Sequence, residues 1–306
     1  ILTVSLVLIF HKLREYYLQT DGNIQPLVVK EHVYILLVVF ALMGFNWLME
    51  AIKWKKLLDS IEQISLKDAI TAILLGITAG LLTPKRLGEI GGRSLLLKRK
   101  NQLKGLSAFG MGSLIQTIIT IFFGILSGIS LIINHTSNAI DNLQLFMFIA
   151  GGMLILCFLT IFNLPLVVNW LRRIFRQKKT DDLFDTLLDY RKTQIFTLLS
   201  IGALRYLTFS GQFYLLITLF APSLGTTEAF TGIGMTYFIM TFLPLSSLVE
   251  LGVRGSVTAF VFSIFTTHTG GVILATFGIW FINLGIPAIV GAILFLFLKN
   301  SRLAIP

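Results

Sequence analysis

Between Gly76 and Leu97 the chain reads GITAGLLTPKRLGEIGGRSLLL, an apolar stretch with Lys85, Arg86, Glu89 and Arg93 set in its middle. A carboxylate and a guanidinium four residues apart, as in Glu89 and Arg93, share one face of a helix and can form an ion pair. Charges inside a membrane segment are costly and mark function. Pro84 removes a backbone donor, and with Gly88 and Gly91 it is expected to break the helix. Broken backbone at membrane depth has to line a cavity or be buried in protein.

The pattern recurs. Glu89-Ile-Gly91-Gly-Arg93 and Glu250-Leu-Gly252-Val-Arg254 both read E-x-G-x-R, with the glutamates 161 positions apart. Pro84 precedes the first glutamate and Pro244 the second, and Gly76-Ile-Thr78 matches Gly234-Met-Thr236 further upstream. Each copy interrupts an apolar segment, so the chain is read as an internal repeat with structural breaks at Pro84, Gly88 and Gly91 and at Pro244 and Gly252.

Half-helices that begin inside a membrane aim their N-terminal amides inward, which suits an anionic group. Arg93 and Arg254 are placed to make charge-assisted contacts with phosphate. Glu89 and Glu250 either pair with them or carry a coupling proton. Two readings stand for each pair: direct contact with a substrate or ion, or mutual neutralisation that holds two broken helices together. Lys85 and Arg86 are read either as binding cations or as anchors that snorkel to the interface. Arg205, mid-segment in SIGALRYLTFSGQ, either faces a cavity or satisfies a loose carbonyl. Glu50 and Lys53 lie near a helix end and are read as interfacial.

Hydrophobic residues make up 55% of the 306 and charged residues 13%, about half of what soluble domains carry. Mean hydropathy is +0.83. The fold class expected is all-α, a polytopic membrane protein. The net charge of +10 could point to nucleic acid, but no soluble basic face is there to bind it, so no nucleic-acid partner is expected. The lone cysteine, Cys157, excludes disulfides within the chain. The first apolar run, Ile1 to Phe10, is too short to span and reads as the tail of a helix that has lost its start.

Full spans are expected at 33–52, 106–133, 143–164, 194–220 and 271–298, with broken pairs at 69–97 and 229–265. If both pairs are re-entrant, the loops 53–68, 98–104 and 172–192 and the C-terminus share one side and carry 17 Lys and Arg, against three on the other side. By the positive-inside rule the first side is cytoplasmic. Each half then holds three spans and one broken or re-entrant helix pair. An odd count makes the halves, about 1–133 and 143–298 of a single membrane domain 1–306, insert with opposite orientation. Inverted repeats with discontinuous helices are the pattern of secondary transporters. The 172–192 loop, basic and then acidic, is expected to be one solvated helix near anionic headgroups.

The four histidines are scattered and never spaced as metal ligands, so no metal is expected. No nucleophile elbow and no phosphate-binding P-loop is present. No catalytic constellation and no cofactor is expected.

Thr83-Pro-Lys-Arg-Leu-Gly-Glu89, followed by Arg93, resembles the P-x-x-x-G-E-x-x-x-R signature of the lysylphosphatidylglycerol synthase transmembrane-region family, which includes the flippase domain of the bacterial multiple peptide resistance factor. The downstream LPLSSLVELGVR is similar to the family's second signature, a Pro followed by G-V-R. Gly255 stands where that pattern leads one to expect Glu, and Glu250 lies upstream. The resemblance covers nearly the whole chain and implies a lipid-handling domain in a bacterial inner (plasma) membrane. Bifunctional members carry a soluble aminoacyl-transfer domain. The sequence up to Pro306 holds none, so lysyl transfer is not expected of this chain.

The function expected is that of a flippase-like lipid translocase. An anionic phospholipid or polyprenyl phosphate headgroup would meet Lys85, Arg86, Glu89, Arg93, Arg205, Glu250 and Arg254 between the two motifs. The alternatives are a small-solute or ion transporter on the same scaffold, and a membrane-embedded accessory or enzyme using Glu89 as a base. Membrane lipids are the expected partners, with a homo-oligomer or a separate lipid-modifying enzyme left open.

Overall fold

A computed structural model describes residues 30–83, 86–135, 139–174, 178–243, 247–267 and 269–302. Every regular element among them is helical. Helix α1 (Lys30–Leu57) is apolar along most of its length and ends with Lys55 and Lys56, cations that suit a helix C-terminus. Ser65 caps α2 (Leu66–Leu82), its Oγ accepting the Asp68 N–H at 3.1 Å. Helix α3 (Leu87–Ser94) follows after the break, and a 3-10 turn (Arg99–Asn101) leads into α4 (Gln102–His135). Next come α5 (Ala139–Phe162), α6 (Leu164–Ile174), α7 (Lys178–Leu188) and α8 (Lys192–Phe220). The chain continues with α9 (Thr226–Thr241), α10 (Ser247–Phe262) and α11 (Gly270–Trp280). One π turn (Phe281–Gly285) joins α11 to α12 (Ile286–Arg302).

Among the described residues, four stretches are long and apolar enough to cross a membrane: His32–Leu57, Arg99–His135, Gln144–Phe162 and Gly270–Leu298. Three expected spans, 33–52, 106–133 and 271–298, lie within these stretches, and a fourth, 143–164, matches closely. The 29-residue α8, expected to span, is not among the four, and it carries Arg205 and the buried Gln212. The Ile1–Phe10 run lies outside the described residues. The helices of the broken pairs are short. At 1.5 Å per residue, α2, α3, α9 and α10 reach about 26, 12, 24 and 24 Å, below the ~30 Å of a hydrocarbon core.

The chain forms two compact units. One contains residues 1–46, 120–147 and 207–286, and the other contains 47–119, 148–206 and 287–306. Each draws on both sequence halves, so the units are not the repeat halves. The first unit is closed by Phe213, Leu216, Ile217, Phe262 and Ile273, all buried. The second is closed by Trp54, Leu57, Ile73, Met111, Ile115 and Leu198.

The loop expected as one solvated helix is instead two packed helices. Arg172 of α6 pairs with Asp185 of α7. Val168, Phe184 and Thr186 are buried, and Ser107 Oγ donates to the Leu183 carbonyl at 2.7 Å. On α6, Leu164 and Val168 are buried, while Leu166, Trp170 and Ile174 on its apolar side are exposed. Beyond α7, the Tyr190 hydroxyl donates to the Leu57 carbonyl at 2.7 Å. Burial, then the nearby Asp189 and Asp59 carboxylates, push its phenol well above the usual range.

Candidate functional site

Helices α2 and α3 fold back on each other, and their glycines set how close they come. A Cβ added at Gly92 would lie 2.6 Å from the Leu75 carbonyl oxygen and 2.7 Å from the Gly76 Cα. At Gly76 it would meet the Arg93 Cγ at 2.6 Å, and at Gly88 the Ala79 carbonyl oxygen at 2.4 Å. Gly76 and Gly80 on one helix thus face Gly88 and Gly92 on the other, each pair spaced by four, the spacing that lets helix backbones touch. Gly91 meets nothing within 4 Å.

These positions correct the expected break residues. Gly88 and Gly91 lie inside α3, and Gly252 lies inside α10. The first reversal falls between Thr83 and Arg86, with Arg86 itself in the left-handed region at φ 57. An L-residue pays roughly 1–2 kcal/mol for that conformation. Thr83 Oγ1 closes the turn by accepting the Gly88 N–H at 2.7 Å while donating to the Ala79 carbonyl. Pro84, Lys85 and Pro244 lie outside the described residues.

The hairpin delivers Glu89 and Arg93 to a buried charge network. Arg93 Nη2 is 2.5 Å from Glu89 Oε1, and Arg93 Nη1 is 2.8 Å from Glu50 Oε1 on α1. Glu50 Oε2 is 2.8 Å from Lys53 Nζ and 2.6 Å from Arg205 Nη1 on α8. Arg205 Nη1 also donates to Gln116 Oε1 on α4 at 3.3 Å. Arg86 completes the chain of charges, its Nη2 3.1 Å from Glu89 Oε2. The rings of Trp54 and Phe109 lie 5.5 and 5.3 Å from the Arg93 guanidinium carbon, close enough for cation–π attraction.

Burial grades across this network. The side chains of Lys53, Glu50, Arg93 and Glu89 are all sealed, while Arg205 and Arg86 are 27% and 31% exposed. Arg93 Nε and Trp54 Nε1 are buried without a hydrogen-bond partner among the described residues. Among the described residues of the network, four cations meet two carboxylates.

Glu50 and Lys53 are buried in the protein, 6% and 3% exposed, and Glu50 is where the other groups meet. Their three-residue spacing in an otherwise apolar helix was the available signal, and the lysines one turn further on obscured it. Arg205 meets the Glu50 carboxylate and the Gln116 amide. Arg86 keeps one side open and pairs with Glu89 on the other.

The second motif lies in the other compact unit and is smaller. Arg254 Nη2 is 2.5 Å from Glu250 Oε1, again four residues apart, with side chains 13% and 11% exposed. Thr258 Oγ1 donates to the Arg254 carbonyl, and Arg254 Nε is buried without a partner among the described residues. In the same unit a chain of buried amides runs through the π turn. Asn46 Nδ2 donates to Asn283 Oδ1 at 2.9 Å, Asn283 Nδ2 to Gln212 Oε1 at 3.3 Å, and Gln212 Nε2 to the Val39 carbonyl at 2.8 Å. No cluster of three or more metal-ligating side chains occurs among the described residues.

Apolar helices of spanning length and a buried ionic network together define a polytopic α-helical membrane protein. Residues 22–291 match the family described as the lysylphosphatidylglycerol synthase TM region, and the chain belongs to it. That membership ties the protein to membrane lipids. No curated protein and no solved structure was found to match.

Proposed function

We propose that this protein is a flippase-like lipid translocase that holds an anionic headgroup, or a lipid-linked phosphate, on the network of Glu50, Glu89, Arg93, Arg205, Lys53 and Arg86. The observation that carries this reading is that, among the described residues, four cations meet on two buried carboxylates in an apolar protein. Excess charge removed from water is costly unless a counter-charge arrives, and a phosphate headgroup supplies one. Guanidinium groups match phosphate oxygens in geometry as well as in charge. Lys85, beside Arg86 in sequence, belongs to the proposed binding set. Glu250 and Arg254 form a second, smaller contact for the same class of headgroup.

The recurrence of E-x-G-x-R supports two inverted repeats, each with a re-entrant pair. The short helices α2, α3, α9 and α10 agree with such pairs. The basic loops 53–68, 98–104 and 172–192 and the C-terminus face the cytoplasm of the inner membrane. No chemical step is assigned to the chain.

The test is reconstitution into proteoliposomes with fluorescent anionic and zwitterionic lipids, reading headgroup access to a membrane-impermeant quencher. Protein-dependent exchange of anionic headgroups between leaflets is expected. Solute uptake without any lipid exchange would replace this reading with that of a small-solute transporter.

A further inference from the structure

Helix α6 divides its surface into three stripes, each with residues spaced by four. Leu164 and Val168 are buried against the protein. Leu166, Trp170 and Ile174 are 70%, 60% and 53% exposed. Asn169 and Arg173, each one position before a member of that stripe, are exposed as well. Residues four apart lie on one side of a helix, so an uncovered apolar stripe runs beside an uncovered polar one along α6. A helix inside the hydrocarbon is apolar all round, and one in water buries its apolar side. A boundary between oil and water that runs along a helix, rather than across it, belongs to a helix lying in the membrane interface.

The place of α6 in the chain agrees. The crossing stretch Gln144–Phe162 ends just before it, with Asn163 alone between them. The exposed Ile155, Phe158 and Leu159 of α5 lead toward its apolar stripe with no charged residue intervening. At 11 residues, about 16 Å, α6 is too short to cross by itself. Its partner α7 is tied to the ends of two other crossing stretches. Ser107, near the start of Arg99–His135, donates to the Leu183 carbonyl, and Tyr190 donates to that of Leu57, where His32–Leu57 ends. Asp181, Asp182 and Asp185 of α7 are exposed, and carboxylates favour water over a lipid surface, so α7 is the wet member of the pair.

We propose that α6 lies in the boundary between headgroups and acyl chains of the leaflet where α5 ends, with Leu166, Trp170 and Ile174 among the chains and Arg173 at headgroup phosphate. Trp suits that depth, because its ring is apolar while its N–H reaches the wet side. Arg172 is engaged by Asp185, and Arg173 is the exposed cation beside the stripe. A guanidinium there draws anionic headgroups toward the helix. This surface shares no residue with the Glu50–Arg93 network and is independent of the translocase reading.

The test places nitroxide labels on the full chain in a Cys157→Ser background, at Trp170→Cys, Asp181→Cys or Phe148→Cys. Phe148, 82% exposed on the crossing helix α5, reports lipid, and Asp181 reports water. The labelled protein is reconstituted into phosphatidylcholine vesicles with and without phosphatidylglycerol. Collisions with oxygen, which partitions into lipid, are compared with collisions with a water-soluble nickel chelate. The label at 170 is expected to favour oxygen several-fold, as at 148, and to lie about 5–10 Å into the boundary, while that at 181 favours the chelate. Phosphatidylglycerol should draw the label at 170 deeper, and Arg173→Gln should abolish that response. Thermal melting of each variant confirms that it is folded. Chelate access at 170 equal to that at 181 would overturn the proposal by placing the stripe in water. Shielding of 170 from both reagents would overturn it by covering the stripe with protein. No response to phosphatidylglycerol in the chain that keeps Arg173 would overturn the role assigned to that residue.

Discussion

Glu50 and Arg93 are 43 positions apart in sequence, and their side chains meet at 2.8 Å in the protein interior. The contact ties the spanning helix α1 to the short helix α3, and Glu50 extends it to α8 through Arg205. One carboxylate thus receives three cations from three helices. Loss of one charge leaves the others uncompensated, which is more costly than removal of a complete pair.

Glu50→Gln is therefore expected to destabilise the protein by about 3–5 kcal/mol, seen as a melting temperature lowered by several degrees in detergent. Glu50→Asp, which keeps the charge on a shorter stem, should recover part of the loss. An unchanged melting temperature for Glu50→Gln would show that the network contributes nothing to the fold.

The glycines of the α2–α3 hairpin give a paired prediction. Gly92→Ala forces a Cβ against the Leu75 carbonyl and Gly76 Cα and should cost about 1–3 kcal/mol through overpacking. Gly91→Ala, one position earlier, enters open space and should be neutral or stabilising by up to about 1 kcal/mol, the gain in helix propensity. Similar melting temperatures for the two variants would contradict the close crossing described here.

Arg86→Gly separates strain from charge. Glycine relieves the left-handed backbone but adds freedom to the unfolded chain, and Glu89, which loses its pair with the partly exposed Arg86, keeps its pair with Arg93. Stability should stay within about 1 kcal/mol of the wild type, while headgroup binding falls. A variant that unfolds would instead make Arg86 a structural residue.

In the other compact unit, Asn283→Leu breaks the buried amide chain in the π turn. It leaves Gln212 Oε1 and Asn46 Nδ2 without this partner, at a cost of roughly 1–3 kcal/mol. Thermal melting measures it, and a loss below about 0.5 kcal/mol would mean that water takes over those bonds.

The parts of this structure that could be read from sequence are those written in local spacing. Glu89 and Arg93, and likewise Glu250 and Arg254, are four residues apart, and that spacing alone puts each pair on one helical face. Long apolar runs gave the spans for the same reason. Glu50 was misread because its meaning depends on partners 43 and 155 positions away, and a single sequence carries no trace of which residues meet. The break residues were misassigned for a related reason. Pattern marks glycine as a helix breaker, but the hairpin uses Gly76, Gly88 and Gly92 for close approach and sets Arg86, a residue that disfavours it, in the left-handed turn. The two-helix loop after α5 carried mixed charges that suggested solvent, and its buried face emerges only once α6 and α7 pack together.

Orientation has its own check, made simple by the lone Cys157. In a Cys157→Ser background, Ser223→Cys in the loop after α8 should react with a membrane-impermeant maleimide on intact cells. Lys100→Cys should react only after permeabilisation. The reverse pattern would invert the topology assigned to the basic loops.

The Glu50–Arg93 network is proposed to handle the anionic headgroup. Its most direct test is leaflet exchange of an anionic fluorescent lipid in proteoliposomes carrying wild type, Arg93→Gln or Arg205→Gln, each normalised to folded protein. Exchange by the wild type is expected, with a fall of at least about tenfold in both variants. Exchange at the wild-type rate in both variants would show that headgroups cross elsewhere and that the network only holds the helices together.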